Sequence, residues 1–305
     1  METVIQNTIT NHKIMLDQHC KAIVGNQEML ARMIHEFVRE ARHLSVKEIM
    51  KIIKDEQRFR CLNNENMIPS YGTVKFDMFC CIDLPQLNGT NKRIYLNVEI
   101  QNNPYPGYSI ITRGYAYVSR IVSEQWGSEY DDKNYDGMKK VYSLWIMPKA
   151  PKRKDGHMNV YETNERIICG TTVEEKEIYD KGVILAIYLN KEHDLNKKYE
   201  EHDELLTPLM VLLNNVLDYK GKQRIIEEYG LNTKKIESEV KDMCDLGESI
   251  VLEARNEGKQ IERKEKNIAH VKKLMIGLQM SFKEAINLLE IPEKEVKEIE
   301  KYFQS

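Results

Sequence analysis

The clearest pattern along the chain is an alternation. Ile94, Leu96, Val98 and Ile100 interleave with Arg93, Tyr95, Asn97, Glu99 and Gln101. A period of two sends successive side chains to opposite faces, so Arg93–Gln101 is predicted to be a half-buried strand. Its polar face carries Asn97, Glu99 and Gln101 in a row. Thr73–Ile82 reads as a second strand, with Val74, Phe76, Met78 and Cys80 on one face. The turn-rich Pro85–Asn91 stretch joins the two as a hairpin. Lys140–Met147, Val160–Cys169 and Gly182–Leu189 complete the expected strands.

Helical spacing marks other segments. Met29, Leu30, Met33, Ile34, Phe37 and Val38 define a helix from about Glu28. Ser45, with Glu48 three residues on, is a capping box that opens a second, short helix. Residues 55–70 read as a loop. Asn102 to Gly107, with Pro104 and Pro106, stops the strand that ends at Gln101. A helix then carries Ile110, Ile111, Tyr115, Val118, Ile121 and Val122, and another covers Leu205–Leu217. Strands interleaved with helices in this order predict an α/β fold. After about Lys220 strand signals vanish, so the expected division is a core of 1–220 and an all-α region of 221–305. Glu253–Ile276 reads as a long polar helix. Ser281 and Glu284 cap a short one, and Pro292 opens the last, with Val296 and Ile299 inward.

Composition narrows the function only modestly. With 305 residues, 41% hydrophobic and 30% charged, the chain suits a soluble globular protein. A net charge of -3 argues against a passive coat on nucleic acid, but leaves room for an enzyme with a local basic groove. Six scattered cysteines without a C-x-x-C read as reduced thiols of a cytoplasmic protein. The polar stretch Met1–His19 carries no signal-peptide pattern, and no apolar run is long enough to cross a bilayer, so no membrane partner is expected.

Candidate chemistry centres on Asp77 and Glu99. Mg2+ retains several waters and takes only one or two carboxylates from a protein. Neighbouring strands would let Asp77 and Glu99 supply those, with the Ile100 carbonyl as a third oxygen. Gln101, on the face of Glu99, would orient a water. The alternative is a pair of ordinary solvent-facing acids. On the following helix Arg113, Tyr117, Arg120 and Glu124 share a face, flanked by Tyr108, Tyr115, Gln125 and Trp126. Arginines suit phosphates and aromatic rings stack on bases, so Arg113, Tyr117 and Arg120 are candidate DNA contacts. The alternative is that Tyr115 and Trp126 are core and Arg120–Glu124 is an ion pair one helical turn apart. Glu36 and Glu40 on the first helix, Glu40 near its end, are weaker candidates for a site acid.

The ordered set formed by Gly72–Asp77, Tyr95–Tyr108, Arg113–Gln125 and Lys140–Ile146 resembles the PD-(D/E)XK nuclease family transposases, among them the recombination-promoting nucleases. The resemblance covers roughly the first two-thirds of the chain, and the segments around Gly277–Ser281 and Leu289–Glu293 resemble the tails such proteins carry. It implies a restriction-endonuclease-like mixed sheet flanked by helices, and DNA cleavage with Mg2+, or Mn2+ as a substitute. Asp77 and Glu99 would match the motif acids and Glu40 the first-helix acid. Gln101 stands where the general motif has Lys, although E-x-Q is similar to the variant of this branch. A neutral amide stabilises developing negative charge less than an ammonium does, and Arg113 or Arg120 would have to make up the difference. The alternative function is a DNA- or protein-binding module on a nuclease scaffold, without turnover. Paired cuts would call for a homodimer. In the tail, the rhythm of two short helices fits a helix-turn-helix. Leu274, Met275, Ile286, Leu288 and Leu289 fit a packing or dimerisation surface equally well.

Overall fold

The computed structural model describes residues 14–15, 17–68, 72–103, 105–190, 192, 194, 198–213, 218–231 and 234–304. Pro69, Pro104, His193 and the expected helix end at 214–217 lie outside them. In chain order come α1 (17–24), α2 (Gln27–Phe37), α3 (Val46–Ile53), β1 (Phe59–Cys61), β2 (Glu65–Ile68), β3 (Gly72–Lys75), β4 (Met78–Pro85) and β5 (Asn91–Ile100). Then follow α4 (Ile110–Glu124), β6 (Lys140–Met147), β7 (Met158–Tyr161), α5 (Lys176–Tyr179), β8 (Gly182–Tyr188), α6 (Asp203–Leu213) and α7 (Tyr219–Glu228). The last three are α8 (Lys234–Gly277), α9 (Phe282–Leu288) and α10 (Glu293–Gln304).

The protein is α/β. Its main sheet runs β1-β4-β5-β6-β8-β7. β4 and β5 form the expected antiparallel hairpin, whereas β5, β6 and β8 run parallel. Parallel strands need both faces covered, and β6 is buried along its whole length. One face packs under α1, α2, α3, α6, α7 and the first part of α8, through residues such as Ile23, Met33, Ile49, Leu209 and Val240. The other carries α4 through Ile110, Tyr117, Val118 and Ile121, against Phe79, Val141, Trp145 and Ile184. α4 approaches closely at Gly114. A methyl group there would meet Ile184 Cγ2 at 2.9 Å and Trp145 Nε1 at 3.1 Å. Gly114→Ala is expected to cost about 1 kcal/mol in denaturant unfolding despite alanine's better helix propensity, because crowding a packed core outweighs it.

Several expectations are corrected. Residues 55–70 are not all loop, since they contain β1, which pairs with β4, and β2, which pairs with β3. These strands are short and mostly at an edge, so they leave little apolar alternation in the sequence. The expected strand Thr73–Ile82 is two strands, interrupted at Phe76–Asp77. Phe76 and Phe79, an odd number of residues apart, both enter the α4-side core, which a continuous strand forbids. The expected strand Val160–Cys169 is only Met158–Tyr161, an edge strand. Just beyond it the Thr163 N–H turns to the Asp180 carboxylate at 3.2 Å.

The chain divides into two compact units, Met1–Cys244 and Asp245–Ser305. The boundary falls later than 220 because Ile225, Ile226, Ile236, Val240 and Met243 belong to the large core. For the same reason α8 starts at Lys234 rather than near Glu253. In the second unit, Val271, Ala285, Ile286, Ile291 and Ile299 form a core that Leu274, Met275, Leu289 and Val296 pack against. Leu288 is exposed. Of the five apolar residues expected to make a surface in this tail, four thus serve its own packing. The Ser281–Glu284 capping box is present, and Pro292 stands just before α10, its carbonyl accepting from Glu295 and Val296.

Candidate active site

β5 delivers Glu99 near its carboxyl end, on the α4 face of the sheet. Asn97 and Glu99 were expected on a half-exposed face. Instead they are 0% and 4% exposed, because α4 roofs that face. Asp77 arrives through the break between β3 and β4. The Phe76 N–H donates to the Asn64 carbonyl at 2.7 Å, and the Phe76 ring packs edge-on against Tyr117 at 5.3 Å. That anchors the bend one residue before the acid. Each acid then accepts a backbone N–H at or beside the other. The Asp77 N–H donates to Glu99 Oε1 at 3.1 Å, and the Ile100 N–H donates to Asp77 Oδ2 at 2.9 Å. The structure thus brings Asp77 and Glu99 side by side. At Ile100 it is the N–H, not the carbonyl, that the structure ties to the pair.

Asn97 Nδ2 also donates to Glu99 Oε1, at 3.2 Å. Asn97 Oδ1 is buried without a hydrogen-bond partner. Burial, and then the charge of Asp77, push the Glu99 carboxyl up to about 8, against smaller opposing effects of the Asp77 N–H, Asn97 and Arg113. A buried acid beside a partly buried one calls for positive charge.

Arg113 supplies part of it. Its guanidinium donates to Tyr117 Oη at 2.6 Å, Tyr108 Oη at 3.0 Å and Gln101 Oε1 at 3.4 Å. It also lies 5.2 Å from the Trp145 ring. Trp145 faces Glu99 across the β5–β6 register, so this aromatic seat holds Arg113 over the acid. Gln101 shares the face, as expected, but its amide donates to the Asn103 carbonyl at 2.6 Å. It anchors the strand end and Arg113. A second cation comes from a region without any site signal. Lys21, on α1, places Nζ 2.9 Å from Asp77 Oδ1 and 2.5 Å from Asp17 Oδ2. Its partial burial opposes the charge, but the bonds to Asp17 and Asp77 prevail and raise its pKa. The helical run Cys20, Ile23, Val24 was the signal for α1, and Asp17 and Lys21 sit one turn apart on it.

Other candidates are not brought here. Glu40 falls just past α2, in a 3-10 turn, where Tyr142 donates to it at 2.6 Å and Lys92 Nζ stands 3.8 Å away. Tyr142 belongs to the opposite face of the sheet, and Lys92 is seven residues from Glu99 along β5, about 23 Å. Glu40 is therefore no part of this site. Glu36 pairs with His202. Tyr117 is only 6% exposed, and its hydroxyl donates to the Lys75 carbonyl. It ties α4 to β3 and orients Arg113 from within the core. Arg120 stands about 10 Å farther along α4 than Arg113. Tyr115 and Trp126, which would have been core in a purely structural stripe, are exposed.

The donor set fits a hard divalent cation that keeps most of its waters: two adjacent carboxylates, an orphaned buried amide oxygen beside them, and an ammonium already standing on one of the acids. Among the described residues no three His, Cys, Asp or Glu side chains gather as a metal cage, which that ion does not require. Fold and site together define an α/β protein with a buried acid, Glu99, at the carboxyl end of an inner strand and a partly buried one, Asp77, beside it. No family model, curated protein or solved structure matches the chain. No helix among the described residues is long and apolar enough to cross a membrane.

Proposed function

We propose that the protein is a metal-dependent DNA endonuclease that hydrolyses phosphodiester bonds at Asp77 and Glu99, in the service of recombination or transposition. The observation that carries this reading is the reciprocal bonding of the two acids, each to the backbone beside the other, on the face roofed by Arg113. Asp77 and Glu99 would hold Mg2+, with Mn2+ as a substitute. The bound ion would polarise the phosphoryl oxygen and make an attacking water more acidic. Asn97, donating to Oε1, would hold the Glu99 carboxylate in place for the ion. Arg113, fixed by Tyr108, Tyr117 and Gln101, offers a preorganised charge where Gln101 offers none.

The partner would approach at the carboxyl ends of the parallel strands, the usual place for ligands in such sheets. Just past the end of β6, which lies beside Ile100, the chain carries Lys149, Lys152, Arg153 and Lys154. Lys152 and Arg153 are exposed. This basic turn gives a local positive rim to a chain of net charge -3. Replacing both Lys152 and Arg153 by Ala is expected to weaken DNA binding and to reduce the slope of log affinity against log salt by about 2, measured by fluorescence anisotropy. An unchanged slope would remove these residues from the interface.

Supercoiled plasmid incubated with the purified protein should be nicked or linearised with Mg2+ or Mn2+ and left intact with a chelator. A second reading is favoured by Gln101, whose amide is spent on Asn103 and which carries no charge. On that reading the scaffold binds DNA or protein without turnover. Binding that survives with either metal, in the absence of any cleavage, would establish it.

A further inference from the structure

Lys21 is absent from any motif around Asp77 or Glu99, yet its ammonium makes the contact at the acid pair that a metal would need. Its Nζ stands 2.9 Å from Asp77 Oδ1, while the Ile100 N–H takes Asp77 Oδ2. Both carboxylate oxygens are thus engaged, one by a fixed backbone group and one by a side chain that can move. We propose that Lys21 is a resident counter-cation that a divalent ion must displace from Asp77. This rests on the reading of Asp77 and Glu99 as cation ligands.

Three observations support displacement over permanent residence. Lys21 has a second acid, Asp17, one helical turn away at 2.5 Å, so leaving Asp77 does not strand the charge. Its side chain is 34% exposed, so the ammonium can turn to solvent without crossing the core. And Arg113, the other cation near the pair, donates to Tyr117, Tyr108 and Gln101 rather than to either acid. A lysine ammonium is a compact point charge on a flexible stem, suited to yield to a divalent ion where a forked guanidinium would not. The consequence is a coupling. A phosphate arriving at the site offers Lys21 a new anion, which frees Asp77 for the metal, so each ligand favours the other.

Isothermal titration of the full-length, metal-free protein with MnCl2, without DNA, tests this. Removing Lys21 takes away the competitor, so Lys21→Met should bind Mn2+ about three- to tenfold more tightly than wild type. Asp17→Asn leaves Asp77 as the only acid holding the ammonium and should bind Mn2+ more weakly. A lysine that merely stabilised α1 would give weaker binding in both variants. Where Lys21→Met fails to fold, Lys21→Gln keeps length and polarity and carries the same expectation. Mn2+ affinity in the folded Lys21 variant that equals wild type or falls below it would overturn the proposal. Saturable binding that disappears in Asp77→Ala shows that the ligand assignment holds independently. No saturable binding by wild type would bring down that assignment, and this inference with it.

Discussion

Asp77→Ala and Glu99→Ala, made singly, are each expected to lower Mg2+-dependent DNA cleavage by at least about a thousandfold. Loss of a carboxylate that holds the cation removes several kcal/mol of transition-state stabilisation, and each 1.36 kcal/mol is about tenfold in rate. Neither substitution should unfold the protein. Asp77 contributes two hydrogen bonds at a bend rather than apolar packing, and Glu99 is a buried acid without an ion-pair partner among the described residues. Glu40 provides the contrast. It belongs to the opposite face of the sheet, among Tyr142 and Lys92, so folded Glu40→Gln should cleave as wild type does. Plasmid-cleavage rates of the three variants, with circular dichroism to show that each is folded, decide the matter. Undiminished cleavage by either the Asp77 or the Glu99 variant would sink the assignment.

A stabilised but inactive protein is expected from Glu99→Gln. Burial, helped by Asp77, pushes the Glu99 carboxyl up to about 8, well above the ordinary glutamate range. Between about pH 4.5 and 8 the folded protein holds a proton that the unfolded chain releases. The folded state then binds more protons, so stability falls as pH rises through that window, and the loss is complete above about 8. Glutamine keeps the shape and cannot ionise. The variant should therefore escape the loss and exceed wild type by roughly 2–5 kcal/mol at pH 8.5 in the presence of a chelator, and by much less at pH 5. Denaturant unfolding at the two pH values measures this. Parallel pH dependences for variant and wild type would refute it. Added Mn2+ should reverse the order, because it stabilises only the protein that can bind it.

The two expectations share one cause. On the proposed reading the site holds a cation and is destabilised without one, since the charge of partly buried Asp77 stands beside buried Glu99. The mutation that relieves the strain also removes the ligand, which is the usual exchange between stability and activity at such sites.

Local regularity was legible in the residues. The alternation in Arg93–Gln101, the capping boxes Ser45–Glu48 and Ser281–Glu284, and the apolar run of β6 each specify their element, because strand and helix periods follow from backbone geometry alone. The α/β class followed from the order of those elements, and Glu99 was visible as an acid in an unusual row. Tertiary structure decided the rest. Asn97 and Glu99 are buried rather than exposed because α4 covers their face, and one strand's own alternation carries no record of what lies on top of it. Asp77 reaches Glu99 only because the chain breaks at Phe76 and rejoins the sheet in a new phase. Glu40 leaves the site and Lys21 enters it although both come from helices on one face of the sheet: short-range pattern does not say where a side chain at a helix end or on a helix face will reach, and only the packed chain sends Glu40 to Tyr142 and Lys21 to Asp77.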